Sequence, residues 1–149
     1  WRVDMGGFGE CLPYDNNRIT LSKEKTDKWG LPLVVADAEF QQNELNMRKD
    51  MKNDAVEMLE AMGAKNVRGY NNTPSIGLGI HEMGTARMGS SPKESVLNKY
   101  NQVWGAKNVF CTDGSAMVSA ACTNPSLTYM AMTARAVDHA VSEMKKGNL

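Results

Sequence analysis

The chain has 149 residues, with 17 basic and 17 acidic side chains and a formal net charge of +0. That length suits one domain with its own core rather than two, and the evenly scattered charge offers no footprint for nucleic acid or an anionic membrane surface. The longest apolar runs, Leu31–Ala36 and Val118–Cys122, fall far short of the roughly 20 residues that cross a bilayer, so no membrane span is expected.

In chain order, Trp1–Tyr14 alternates loosely and is interrupted by Gly6, Gly7, Gly9 and Pro13, the pattern of a strand with a bulge or a close backbone approach. Asp15-Asn16-Asn17 is a turn signal. Arg18–Ser22 alternates apolar Ile19 and Leu21 with polar neighbours, which predicts a half-buried strand paired back through that turn. Leu31–Val35 reads as a further strand, pushed toward an edge or a strand start by Pro32. Together these predict a three-stranded antiparallel sheet.

Met47, Met51, Ala55, Met58 and Met62 recur at three- and four-residue spacing, with Gly63 where a left-handed cap is wanted. This predicts an amphipathic helix whose methionine stripe belongs to the core. Asn66–Ile80, rich in Gly, Asn, Thr and Pro, is a loop or an irregular strand. Val109–Thr112 reads as a short buried strand ending at Asp113-Gly114. Asn124-Pro125 then opens a second helix, with Asn as cap and Pro at the first helical position. Its expected apolar stripe is Leu127, Met130, Ala131, Ala134, Val137 and Val141, and it runs to about Lys145. The resulting fold class is α+β, an antiparallel or mixed sheet with packed helices.

Cys11, Cys111 and Cys122 are odd in number and form no C-x-x-C pair, so buried free thiols are expected. Of the two histidines, His139 lies within the charged stretch of a regular helix and reads as structural or exposed. His81 sits in His81-Glu82-Met83-Gly84-Thr85-Ala86-Arg87-Met88-Gly89, too rich in glycine and too aperiodic for a helix or strand. Irregular segments of that kind commonly present reactive side chains. Two histidines without ligand spacing predict no metal site, and Gly77-Leu78-Gly79 lacks the third glycine and the strand-turn-helix context of a nucleotide loop.

The segment His81–Gly89, followed by Ser95-Val96-Leu97-Asn98, Val103-Trp104-Gly105, Asn108–Ser115 and Asn124-Pro125-Ser126-Leu127-Thr128, closely resembles the end of the glucose-methanol-choline (GMC) oxidoreductases. The likeness is strong over Ile80–Val141 and looser over Trp1–Tyr70, and its wording is most similar to the bacterial sugar, gluconate and glucoside dehydrogenases. It implies a FAD-dependent enzyme acting on CH–OH donors, with His81 and Asn124 as its catalytic pair. Further resemblance puts Asp113 and Gly114 beside the cofactor's diphosphate or ribityl chain, and Asn124, Pro125, Ser126 and Thr128 at the flavin ring.

On this resemblance residues 1–149 are a substrate-domain fragment, and the C-terminal helix returns to a FAD domain whose N-terminal binding segment is absent. Trp1 in place of Met, with no leader, also reads as a chain cut from something longer. Such a fragment is expected neither to hold FAD tightly nor to act alone. The implied partners are a sugar or alcohol substrate, the missing FAD-binding region, and a small subunit or cytochrome that accepts electrons; cytoplasmic and periplasmic locations both stay open. The alternatives are a non-catalytic carbohydrate- or protein-binding module that retains the family shape, and a purely structural subunit.

Overall fold

The structure, a computed structural model, describes residues 1–71 and 76–149. It is a small α+β assembly of two antiparallel two-stranded sheets, two long helices and extended connections.

Strands β1 (Arg18–Thr26) and β2 (Pro32–Asp37) form a hairpin in which Ile19 faces Ala36 and Leu21 faces Val34, with an irregularity between Leu21 and Thr26. The Asp27 carboxylate makes the reversal by accepting the Trp29 and Leu31 amides, both at 2.9 Å, while Gly30 takes the left-handed φ of +85°. The strand beginning at Pro32 is as expected; the three-stranded sheet is not. Arg18–Ser22 pairs forward with β2 rather than back through Asp15–Asn17, and Trp1–Tyr14 forms no strand. Its glycines serve a different approach. A methyl group added at Gly9 would lie 2.6 Å from Met47 Cε, and one at Gly7 3.0 Å from Met51 Sδ, so this segment lies flat against the following helix instead of in a sheet.

That helix, α1 (Gln42–Ala61), starts where Glu44 reaches back to the Gln41 amide at 3.1 Å. It ends in a Schellman turn: Gly63, at φ +87°, donates to the Glu60 carbonyl, and Ala64 donates to that of Leu59. The methionine stripe is only partly core. Met47 and Met51 are half-buried under the N-terminal segment, whereas Met58 and Met62 are exposed. Phe40, Arg48, Val56 and the first residues of the chain bound a groove of about 1130 Å³ along this face. Glu44 is the buried centre here, accepting from Leu12 N and Tyr14 Oη as well.

Strands β3 (Gln102–Val103) and β4 (Ala106–Phe110) form the second hairpin. The expected buried strand at Val109–Thr112 therefore begins earlier and stops at Phe110, and Val109 is exposed, because among the described residues no helix or strand covers that face of the two-stranded sheet. A 3₁₀ turn at Gly114–Ala116 precedes α2 (Ser126–Lys145). The compact core gathers on this half: Leu97, Ala116, Met132 and Ala136. Asn101, fully buried at φ +61°, ties it together by donating to the Cys111 carbonyl at 3.0 Å and accepting from Arg135 at 3.1 Å. The residues of Asn66–Ile80 that are described form neither helix nor strand, as expected; 72–75 lie outside the described residues.

Three further expectations are corrected. Helix α2 begins at Ser126 with Pro125 at its cap position and no side-chain cap bond, so Asn124 precedes the helix instead of capping it. The Pro125 carbonyl closes the first turn by accepting the Tyr129 amide at 3.1 Å. The stripe that α2 turns inward is Tyr129, Met132, Ala136 and His139, while Leu127, Met130, Val137 and Val141 face out. Finally, no thiol is buried: Cys11 and Cys111 are half-buried and Cys122 is exposed. Cys11 sits in the N-terminal segment beside α1, and Cys111 and Cys122 lie in connections outside helix and strand, so packed elements enclose none of them. Partial desolvation, with the nearby Glu44 charge, raises the Cys11 pKa.

The chain exposes 11337 Å². A compact monomer of this mass exposes roughly 7,500 Å². Apolar side chains on both faces of the first hairpin and along the outer side of α2 are among those exposed, including Leu21, Val34, Leu127 and Met130.

Candidate active site

The segment around His81 is held by its neighbours, not by regular structure. Gly84 N donates to Gly114 O at 3.4 Å, Ala86 N to Ser115 O at 3.0 Å and Met88 N to Ala116 O at 2.9 Å, a ladder that lays the first motif along the 3₁₀ turn. Gly84, at φ +88°, passes so close that an added Cβ would stand 3.3 Å from the Val118 carbonyl. Gly114 is buried beneath the same segment: a Cβ there would meet Tyr129 Oη at 2.8 Å and both the Glu82 carbonyl and Met83 Sδ at 3.0 Å. The Tyr129 hydroxyl, one turn into α2, lies 3.6 Å from Met83 Sδ. The motif carrying His81, the Asp113–Ala116 turn and the start of α2 thus meet at one end of the molecule.

His81 itself is half-buried, and its ring makes no hydrogen bond with the described residues. The residue before it, Ile80, has φ +70°, unusual for a β-branched side chain and costing on the order of 1–3 kcal/mol. Glu82 turns back to accept the Gly79 amide at 2.7 Å, closing a short ring around Ile80 and His81. Asn124 is exposed just ahead of the uncapped helix start. There the N–H groups of Ser126, Leu127 and Thr128, with the positive end of the helix dipole, form a place where negative charge is stabilised.

Asp113 and Gly114 are committed within the chain. The Asp113 carboxylate accepts from Ser115 Oγ at 2.5 Å and Ser115 N at 2.8 Å, with Cys111 Sγ at 3.6 Å. The Ser115 hydroxyl and amide hold its pKa below the ordinary aspartate value, against the opposing effect of partial burial. Gly114 supplies close packing against Tyr129. Among the described residues, no group of three or more His, Cys, Asp or Glu is placed to hold a metal ion, and no helix is long and apolar enough to cross a membrane.

Two clefts among the described residues lie elsewhere. One is the groove beside α1; the other, about 350 Å³, adjoins the turn before β1, where Arg87 pairs with Asp15 at 2.9 Å. Neither is lined by His81 or Asn124. His139 is structural, stacked on Tyr100 at 3.9 Å between ring centroids with Phe110 at its edge. Sequence reasoning missed Tyr129 and Glu82. The signal for Tyr129 was its three- and seven-residue spacing to Met132 and Ala136, a second stripe overshadowed by the more apolar one; nothing local marked Glu82.

Residues 13–133 match the family model described as GMC oxidoreductase. The chain is 37% identical to a 2-methyl-1,2-propanediol dehydrogenase of Mycolicibacterium austroafricanum over 89% of its own length and 24% of the relative's. It is 28% identical to a fructose dehydrogenase large subunit of Gluconobacter japonicus, over 97% of this chain and 26% of that protein. It is likewise 28% identical to a gluconate 2-dehydrogenase flavoprotein of Pantoea cypripedii, over 88% and 22%. The chain therefore spans about a quarter of the length of the curated relatives it matches.

Proposed function

We propose, because this chain belongs to the GMC oxidoreductase family, that it is the substrate-facing C-terminal part of an enzyme that oxidises a CH–OH group of a sugar, glycoside or other alcohol. FAD, bound chiefly by a region outside these residues, supplies the acceptor for the hydride. His81 takes the hydroxyl proton on a ring nitrogen while the C–H bond releases its electron pair with the hydride, leaving a carbonyl. A neutral imidazole suits that task because its ordinary pKa, near 6.5, lets it accept and return protons near neutrality, typically worth about 10²–10⁴ in rate. Asn124 donates its amide N–H to the same oxygen as negative charge develops there.

The observation that carries this reading is the ladder from Gly84–Gly114 to Met88–Ala116, with Tyr129 closing it, which draws the His81 motif and the start of α2 to one end of the molecule. The names of the relatives, a diol, a fructose and a gluconate dehydrogenase, support an alcohol or sugar substrate, and the name "large subunit" supports a partner subunit. The outward stripe of α2 supports a further assignment. Leu127 is 78% and Met130 68% exposed, a cost that disappears when the helix docks on the flavin-binding region.

Flavin absorbance of the enzyme with its flavin-binding region, and its reduction by a panel of sugars and diols, tests the proposal. His81→Ala is expected to keep the flavin and slow reduction by about two decades or more, while His139→Phe reduces at the wild-type rate. Absence of flavin, or unchanged reduction in His81→Ala, overturns the reading in favour of a binding module.

A further inference from the structure

We infer that Glu82 is a positioning residue for His81, acting through the backbone and not through the imidazole; the inference rests on the proposed role of His81 as base. Downstream of His81 the chain is fixed at Gly84, Ala86 and Met88 by the ladder to residues 114–116. Upstream, among the described residues, the anchor is the Glu82 carboxylate on the Gly79 amide at 2.7 Å. Between those two residues lies Ile80 at φ +70°, a conformation that a β-branched residue adopts only when its surroundings impose it. Ile80 is 90% exposed, so packing does not impose it. The Gly79–Glu82 hydrogen bond spans that residue and closes the ring, which makes it the contact that holds the backbone, and with it the direction of the His81 side chain.

A base set on an irregular loop is only as effective as its placement. A displacement of about 1 Å at a reacting group can cost on the order of 100-fold in rate. Glu82 is thereby separated from two bland roles. A surface carboxylate with no structural duty leaves kcat unchanged when removed. A carboxylate that acts by its charge is not replaced by an amide, whereas the oxygen of a glutamine side chain accepts the Gly79 N–H as a carboxylate does.

The test uses the flavin-loaded enzyme and four variants: Glu82→Ala, Glu82→Gln, Glu82→Ala with Ile80→Gly, and His81→Ala. Expected for Glu82→Ala are a kcat lower by about 10- to 100-fold, KM within about twofold, an unchanged flavin spectrum, and faster amide hydrogen exchange over residues 78–83. Glu82→Gln should restore most of the rate and the protection. Ile80→Gly should recover part of the loss, because glycine takes a positive φ without strain.

Wild-type kcat and exchange in Glu82→Ala overturn the inference, and so does a Glu82→Gln enzyme as slow as Glu82→Ala. If Glu82→Ala yields no flavin-loaded protein, Glu82→Asp, one methylene too short for Gly79, is read in its place with the same expectation. Loss of rate in His81→Ala with none in the Glu82 variants sinks the positioning role alone. No loss in His81→Ala sinks the reading of His81 itself.

Discussion

Arg135 Nη2 donates to Asn101 Oδ1 at 3.1 Å, and through this bond helix α2 is tied to the loop that begins β3. Asn101 is fully buried, its side-chain amide donates to the Cys111 carbonyl, and its backbone carbonyl accepts the Cys111 amide at 2.9 Å. A side chain that satisfies two elements at once, from a left-handed backbone that Asn tolerates, is hard to replace.

Asn101→Ala is therefore expected to cost about 2–4 kcal/mol in urea unfolding, since it removes the bonds to the Cys111 carbonyl and Arg135 from a fully buried position and forces alanine into φ +61°. Asn101→Gly removes the same bonds but accepts the backbone, and should be about 1 kcal/mol less damaging. Equal losses for the two would mean that the backbone conformation is not strained.

Glu44 makes stability at this end of the chain pH-dependent. Burial disfavours its charged form, but hydrogen bonds from the Leu12 backbone, Asn43, its own amide and Gln41 outweigh this and lower its pKa from the ordinary 4.5. With the folded value below the unfolded one, the stabilisation is fully present above about 4.5 and is lost as the pH falls through the folded value. Glu44→Gln should be less stable than wild type at about pH 7 by about 1 kcal/mol or more, with the gap narrowing as the pH is taken below the ordinary 4.5. A gap that widens on acidification would show that the carboxyl is not held in its charged form.

Gly114 leaves no room for a side chain. Gly114→Ala places a methyl group 2.8 Å from Tyr129 Oη and 3.0 Å from the Glu82 carbonyl, and is expected to destabilise by about 1–3 kcal/mol. Adding Tyr129→Phe removes the first clash and not the second, so the double variant should recover part of the loss. Strict additivity in a double-mutant cycle would place the clash elsewhere.

Docking of α2 through its outer stripe predicts that Met130→Lys with Val137→Glu keeps the helix, because both side chains point away from the chain's own core. Helical circular dichroism of the chain should be unchanged. Flavin loading of the enzyme should fall about tenfold or more, the fold-change expected for about 1.4 kcal/mol of lost docking. Undiminished loading would assign the stripe to another surface.

The residues themselves carried α1, its glycine cap, the turn-flanked strand at Pro32, the 20-residue terminal helix and the family likeness, because periodicity and capping act within a few residues of sequence. They also separated His81 from His139, since one lies in a glycine-rich segment and the other on a helix. Tertiary structure alone decided the pairing of β1 forward with β2, the use of Gly7 and Gly9 to approach α1, and which of two stripes on α2 faces inward. The same holds for Tyr129 at Met83 and Glu82 at Gly79. A strand has no local mark of its partner, and a helix with two apolar faces is resolved only by what packs on each. A carboxylate that orders a loop is recognised only once the loop's φ angles and its bond to Gly79 are seen, because both depend on chain segments brought together by folding.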